Sequence, residues 1–193
     1  SAGARSLAIV FGFFRKSPHA AVIERLHGEI MAAARQPALF RDYGVADSFD
    51  GRFEALALIA TPPVRRLAAL PEPGSVLAQE LTDSLFTGFD DALRQIGVSD
   101  TGVHKRMKKL AEAWLGRRQV YAGALDMPDD AALATALARN LFAGEREADD
   151  ACVVRMARYI RALDESHARL PLNQFVKGAL PFVDPIQVDR ARS

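Results

Sequence analysis

Residues 103–121 read VHKRMKKLAEAWLGRRQVY, and their apolar side chains recur at helical spacing. When Met107 is set at zero and each residue turns 100°, a stripe within about 60° of it holds most of the bulky apolar side chains. This pattern predicts an amphipathic helix over residues 101–126 whose stripe faces a protein core. The stripe contains Val103, Met107, Leu110, Ala111, Trp114, Tyr121 and Leu125. We interpret Met107, Leu110, Trp114 and Tyr121 as structural residues.

The remaining sides of this helix are strongly cationic. Lys105, Lys108 and Lys109 lie opposite the stripe, and Arg106 and Arg117 share one flank. Such a charge pattern is typical of a solvated helix face, of a protein-docking face, or of a contact for nucleic acid or lipid. The residues alone leave these alternatives open.

Arg118 falls in the middle of the apolar stripe. A guanidinium in this position either extends to solvent at a helix end or pairs with an internal carboxylate, because an unpaired buried charge is costly. We include Arg118 among the structural residues and leave both alternatives open.

The rest of the chain is also predicted to be helical. Helical periodicity covers 18–35, 37–43, 50–60, 64–70, 76–96, 128–144 and 149–167, with Phe53 and Phe89 on core-facing sides. Because proline disrupts a helix, either a kink or a break is expected at Pro62-Pro63, and we favour the break. No segment has a convincing strand pattern. The sequence therefore predicts an all-α, single-domain bundle of about six to eight helices over residues 18–170, followed by an extended C-terminal tail over 171–193.

Charge and cysteine content narrow the class of protein. The 193 residues include 25 Lys and Arg against 24 Asp and Glu, so no global field attracts polyanions. Charge is segregated locally, since residues 79–100 carry a net −4 and residues 104–118 a net +5. Cys152 is the single cysteine, which excludes an internal disulfide and favours a reducing compartment such as the cytoplasm or the mitochondrial matrix.

Residues 1–17 form a separate apolar and basic segment. Its apolar run, residues 7–14, is far shorter than the roughly 20 residues that cross a bilayer. Aromatic side chains beside Arg15 and Lys16 suit a membrane interface, so residues 7–16 are a candidate peripheral membrane contact. The alternative is that this segment covers a groove on the helical domain.

The sequence contains none of the catalytic motifs that we considered. The four histidines are scattered without the i,i+4 spacing of a helical metal site, and no nucleophile elbow, phosphate loop or dinucleotide fingerprint is present. Asp90 and Asp91 are adjacent, so their side chains diverge by about 100° on a helix. We therefore expect a protein that is not an enzyme and that holds neither a metal ion nor a cofactor.

Three segments resemble a known family. FDGRFE (Phe49–Glu54), LTDSLFTGFDDALRQIGVSD (Leu81–Asp100) and VHKRMKKLAEAWLGRRQVY (Val103–Tyr121) are similar to the ubiquinol-cytochrome c chaperone family. The resemblance covers about residues 49–125, and Pro18–Val45 looks like the helices that precede this core in the family.

The resemblance implies an all-helical assembly factor for the cytochrome bc1 complex, here of bacterial type. It implies binding to newly made cytochrome b or another bc1 subunit, together with the ribosome or a second assembly factor. The expected location is the cytoplasm, peripheral to the inner membrane, or the matrix side in a eukaryote. On this basis we predict that Lys105, Arg106, Lys108, Lys109 and Arg117 form a partner-docking surface. The alternative is a ribosome- or RNA-binding helical module that uses residues 104–118; DNA is not an expected partner.

Overall fold

The described part of the chain is built from helices that pack around one central helix. The computed structural model describes residues 17–190, and within this range it contains nine helices and no strand. They are α1 (Ala20–Ala34), α2 (Pro37–Arg41), α3 (Phe49–Ala68), α4 (Gly74–Gln95), α5 (Asp100–Leu125), α6 (Ala131–Asn140), α7 (Ala151–His167), α8 (Leu172–Lys177) and α9 (Pro185–Arg190). The predicted all-α class is confirmed. The described helices exceed the expected six to eight because the C-terminal segment adds two short ones.

The central helix is α3, which packs against α1, α4, α5 and α7. Every residue from 53 to 64 is buried, so this part of α3 is enclosed on all sides. Pro62 and Pro63 lie inside the helix, and the break predicted at this pair is wrong. Each proline lacks the N–H that would bond to the carbonyl four residues earlier, which weakens the helix locally. Packing on every side of α3 offsets this loss and keeps the helix continuous.

The FDGRFE segment forms the first turns of α3, and its glycine has a structural role there. The side chain of Ser48 caps the helix by accepting a hydrogen bond of 3.1 Å from the Gly51 backbone N–H. A Cβ atom at Gly51 would lie 1.9 Å from the carbonyl oxygen of Ala46, which is a backbone atom and has little freedom to move. Only glycine fits at this close approach between the helix and the preceding loop.

The C-terminal segment contains the two short helices α8 and α9, which corrects the prediction that it is extended, and it packs onto the domain. Phe175 of α8 is fully buried, and its carbonyl accepts a hydrogen bond from Arg25 of α1. The carboxylate of Glu29, also on α1, accepts a hydrogen bond of 2.9 Å from the backbone N–H of Leu180. The sequence missed these contacts because their partners lie about 150 residues away along the chain.

None of the helices described between residues 17 and 190 combines the length and apolar character that crossing a bilayer requires.

Candidate docking surface

An aromatic cluster fixes the rotation of α5 in the bundle. Trp114 is only 2% exposed, and its ring centroid lies 6.2 Å from that of Phe53 on α3 and 6.5 Å from that of Phe89 on α4. The rings of Phe53 and Phe89 are 5.2 Å apart and tilted, an arrangement that favours aromatic pairs. One tryptophan thus joins three consecutive helices.

The other predicted structural residues extend this contact along α5. Tyr121 is fully buried, and burial raises the pKa of its phenol. Met107 and Leu110 are partly buried and pack against the same core. With the stripe inside, the lysines of α5 face outward.

The structure corrects the prediction that Arg117 belongs to the docking surface. Its guanidinium donates hydrogen bonds of 2.7–3.0 Å to both carboxylate oxygens of Glu54 on α3, and its side chain is 26% exposed. The partner raises the pKa of Arg117 further above its usual range. Glu54 was not singled out in the sequence, although a lone carboxylate in the apolar run FEALALIA is a signal for an internal cation. Arg117 holds α5 against α3, so this pair is a structural contact.

The four remaining basic residues of the predicted surface are exposed. Lys105, Lys108 and Lys109 have no ion pair with any residue in the described part of the chain, and Arg106 lies over the ring of Phe49 at 5.5 Å from its centroid. We name Lys105, Arg106, Lys108 and Lys109 the basic surface. Its positive charge is open to solvent.

The acidic residues of α4 do not neutralise the basic surface, although α4 and α5 are in contact. Arg94, on α4 itself, pairs with Asp90 at 3.2 Å and with Asp100 at the start of α5. The Asp83 side chain accepts a hydrogen bond from Gln79, and burial raises the pKa of this carboxyl. The charge segregation seen in the sequence therefore persists in the structure.

Arg118 lies in an open groove between α3 and α5. The groove has a volume of about 490 Å³ and is lined by Thr61, Arg65, Leu115, Arg118, Gln119 and Ala122. Arg118 is half-buried, and burial lowers its pKa. Among residues 17–190 no carboxylate pairs with it, so the structure does not contain the internal salt bridge that was one of the two alternatives.

The histidines are dispersed through the fold. Residues 17–190 contain no cluster of three or more His, Cys, Asp or Glu side chains that could hold a metal ion. His27 bonds to the Ser84 hydroxyl at 2.8 Å, joining α1 to α4. His167 is fully buried and donates through Nδ1 to the Leu163 carbonyl at 2.8 Å. These two histidines serve helix packing. The predicted membrane contact, residues 7–16, lies outside the described residues.

Comparison with known proteins identifies relatives of this arrangement. Residues 41–182 match the family model described as ubiquinol-cytochrome C chaperone. A solved structure, the Cbp3 homolog from Brucella abortus, is 34% identical in sequence with a TM-score of 0.78, covering 88% of this chain and 92% of the Brucella chain. No significant match was found among curated proteins. The match spans both FDGRFE and the basic helix α5, and the chain belongs to the ubiquinol-cytochrome c chaperone family.

Proposed function

We propose that this protein binds newly made cytochrome b on the cytoplasmic side of the inner membrane and guides it into the bc1 complex by binding, without catalysis. Family membership supports the coarser role, a chaperone in assembly of the bc1 complex. The observation that carries the finer proposal is the basic surface of α5, whose three lysines are exposed and unpaired among the described residues.

A rigid basic surface suits a protein that works close to a membrane. The leaflet facing the cytoplasm carries anionic lipids, and each Lys or Arg near it contributes about 1 kcal/mol of attraction. The buried stripe of α5 prevents the helix from rotating, so the cations keep a fixed direction. Electrostatic attraction also speeds the encounter with a partner of opposite charge. The basic surface can thereby bring the chaperone to the site where a membrane subunit emerges.

Charge reversal at the basic surface tests this proposal. The triple variant Lys105→Glu, Lys108→Glu and Lys109→Glu should keep its melting temperature, because exposed substitutions change stability by only about 0.5 kcal/mol. It should fail to co-purify with tagged cytochrome b from its own host, and bc1 content in the membrane should fall.

A matched control carries the same change in charge elsewhere. Arg41, Arg139 and Arg169 are exposed and lie on or beside other helices, so reversing all three should leave bc1 assembly intact. Normal cytochrome b capture and normal bc1 content in the lysine variant would refute the role of the basic surface.

A second candidate function rests on the same lysines. Three exposed cations on one helix also fit the phosphates of ribosomal RNA, and such contacts lose affinity steeply as salt increases. Binding of the protein to purified ribosomes should then fall about 40-fold between 50 and 200 mM salt, because three phosphate contacts give a slope of about −2.7 in log affinity against log salt. Capture of cytochrome b by a protein that does not bind ribosomes even at 50 mM salt would exclude this candidate.

A further inference from the structure

The groove between α3 and α5 is an open concavity with a volume of about 490 Å³. Leu115, one of its lining residues, is 47% exposed and supplies apolar surface to the groove. The groove lies towards the C-terminal half of α5, beyond the basic surface.

The groove contains one positive charge that the described chain does not compensate. Arg65 is neutralised, because it pairs with Asp126 and lies 3.5 Å from Asp164. Arg118 has no such partner between residues 17 and 190, and its partial burial removes water that would otherwise solvate it. A carboxylate brought to Arg118 would restore this lost solvation through charge-assisted hydrogen bonds.

We propose that this groove receives a mostly apolar segment of the client protein that carries a single Asp or Glu, with its carboxylate against Arg118 and its apolar side chains against Leu115. The inference rests on the proposed function, in which the client is newly made cytochrome b. It adds a specific contact surface that is separate from the basic surface.

The surrounding charges favour a carboxylate over a phosphate. Asp126 and Asp164 lie near the groove through their contacts with Arg65, and their repulsion of a doubly charged phosphate is about twice their repulsion of a single carboxylate. A single carboxylate needs only the one free guanidinium, to which it can bind through two parallel hydrogen bonds. Polyanions would instead be attracted to the basic surface at the other end of α5. The groove therefore fits a mostly apolar polypeptide better than a lipid headgroup or RNA.

The helix offers a matched pair of positions for a crosslinking test. Leu115 and Val120 are both 47% exposed, but only Leu115 lines the groove, and five residues of helix separate their directions by about 140°. A benzophenone amino acid is placed at either position in the full chain, in cells that synthesise tagged cytochrome b. We expect a crosslink to cytochrome b from position 115 and none from position 120.

Substitution of Arg118 supplies the second measurement. Arg118→Gln should weaken capture of tagged cytochrome b at least about tenfold, because the carboxylate of the client would lose its partner in a partly dry site. Arg118→Lys, which keeps the charge, should restore part of the affinity. Thermal stability should be unchanged or higher in the glutamine variant, since no intramolecular ion pair of the described chain is lost; a purely structural arginine would instead lower it.

The outcomes separate the inference from the function on which it rests. If the wild-type protein does not capture cytochrome b, the proposed function fails and the inference fails with it. If capture succeeds but positions 115 and 120 crosslink equally, or Arg118→Gln captures normally, only the inference is overturned. Loss of binding to phosphatidylglycerol vesicles by Arg118→Gln, with normal cytochrome b capture, would also overturn it in favour of a lipid site.

Discussion

Replacing Arg117 with Met should destabilise the protein by about 3 kcal/mol, although this residue lies on the cationic helix and would pass for a surface residue. Two N–H groups of Arg117 contact Glu54 at 2.7–3.0 Å. A hydrogen bond to a charged group contributes about 1.5–3 kcal/mol. Because the Arg117 side chain is 26% exposed, water can partly replace it, so we take the lower end for each bond.

The residue left behind explains why the loss is this large. The Glu54 side chain is only 11% exposed, and without Arg117 its charge would be buried with no cation to pair with it. The double variant Glu54→Leu, Arg117→Met removes both charges and should be within about 1 kcal/mol of the wild type, because apolar replacement of a buried pair is often neutral.

Urea unfolding of the wild type, both single variants and the double variant measures this coupling as a double-mutant cycle. Arg117→Met should also lower the melting temperature by about 6–12 °C, given 2–4 °C for each kcal/mol in a chain of this size. A loss below about 1 kcal/mol for Arg117→Met, or a double variant no more stable than it, would show that the pair does not hold α5 against α3.

Two further predictions concern stability. Gly51→Ala should lower the free energy of unfolding in urea by about 2–3 kcal/mol, because the added Cβ would overlap the Ala46 carbonyl. Gly116→Ala, where no atom lies within 4 Å of the added Cβ, should raise it by up to about 1 kcal/mol through helix propensity, and equal effects of the two substitutions would refute the close approach at Gly51. Burial lowers the pKa of His167 below its usual 6.5, so the unfolded chain binds the proton more readily than the folded one, and stability should fall as the pH drops below about 6.5. Melting curves of His167→Gln should show a shallower decline with falling pH. An identical decline would assign the effect to other groups such as His27.

The predictions that succeeded and those that failed differ in the range of the interactions they depend on. The core-facing side of α5 follows from helical periodicity, and the structure places Trp114 and Tyr121 inside. Helix continuity through Pro62 and Pro63 depends on packing from four neighbouring helices, which local propensity does not contain.

The docking surface shows the same limit. Helical spacing of 100° per residue places Arg117 on the same flank as Arg106, yet the carboxylate partner of Arg117 lies 63 residues earlier in the chain. Only the three-dimensional arrangement distinguishes an arginine that binds a neighbouring helix from one that faces solvent. The open groove at Arg118 was equally invisible, since two separate helices contribute its walls.

The hydrogen bonds between α1 and the C-terminal segment also determine when folding can finish. Arg25 and Glu29 reach backbone groups 150 and 151 residues away, among the longest loops that this chain can close. During synthesis the early helices can pair with α3 and α4, but α1 acquires its last partners only after Leu180 has left the ribosome. A protein that is proposed to bind another newly made chain therefore completes the tertiary contacts of its own first helix late in synthesis.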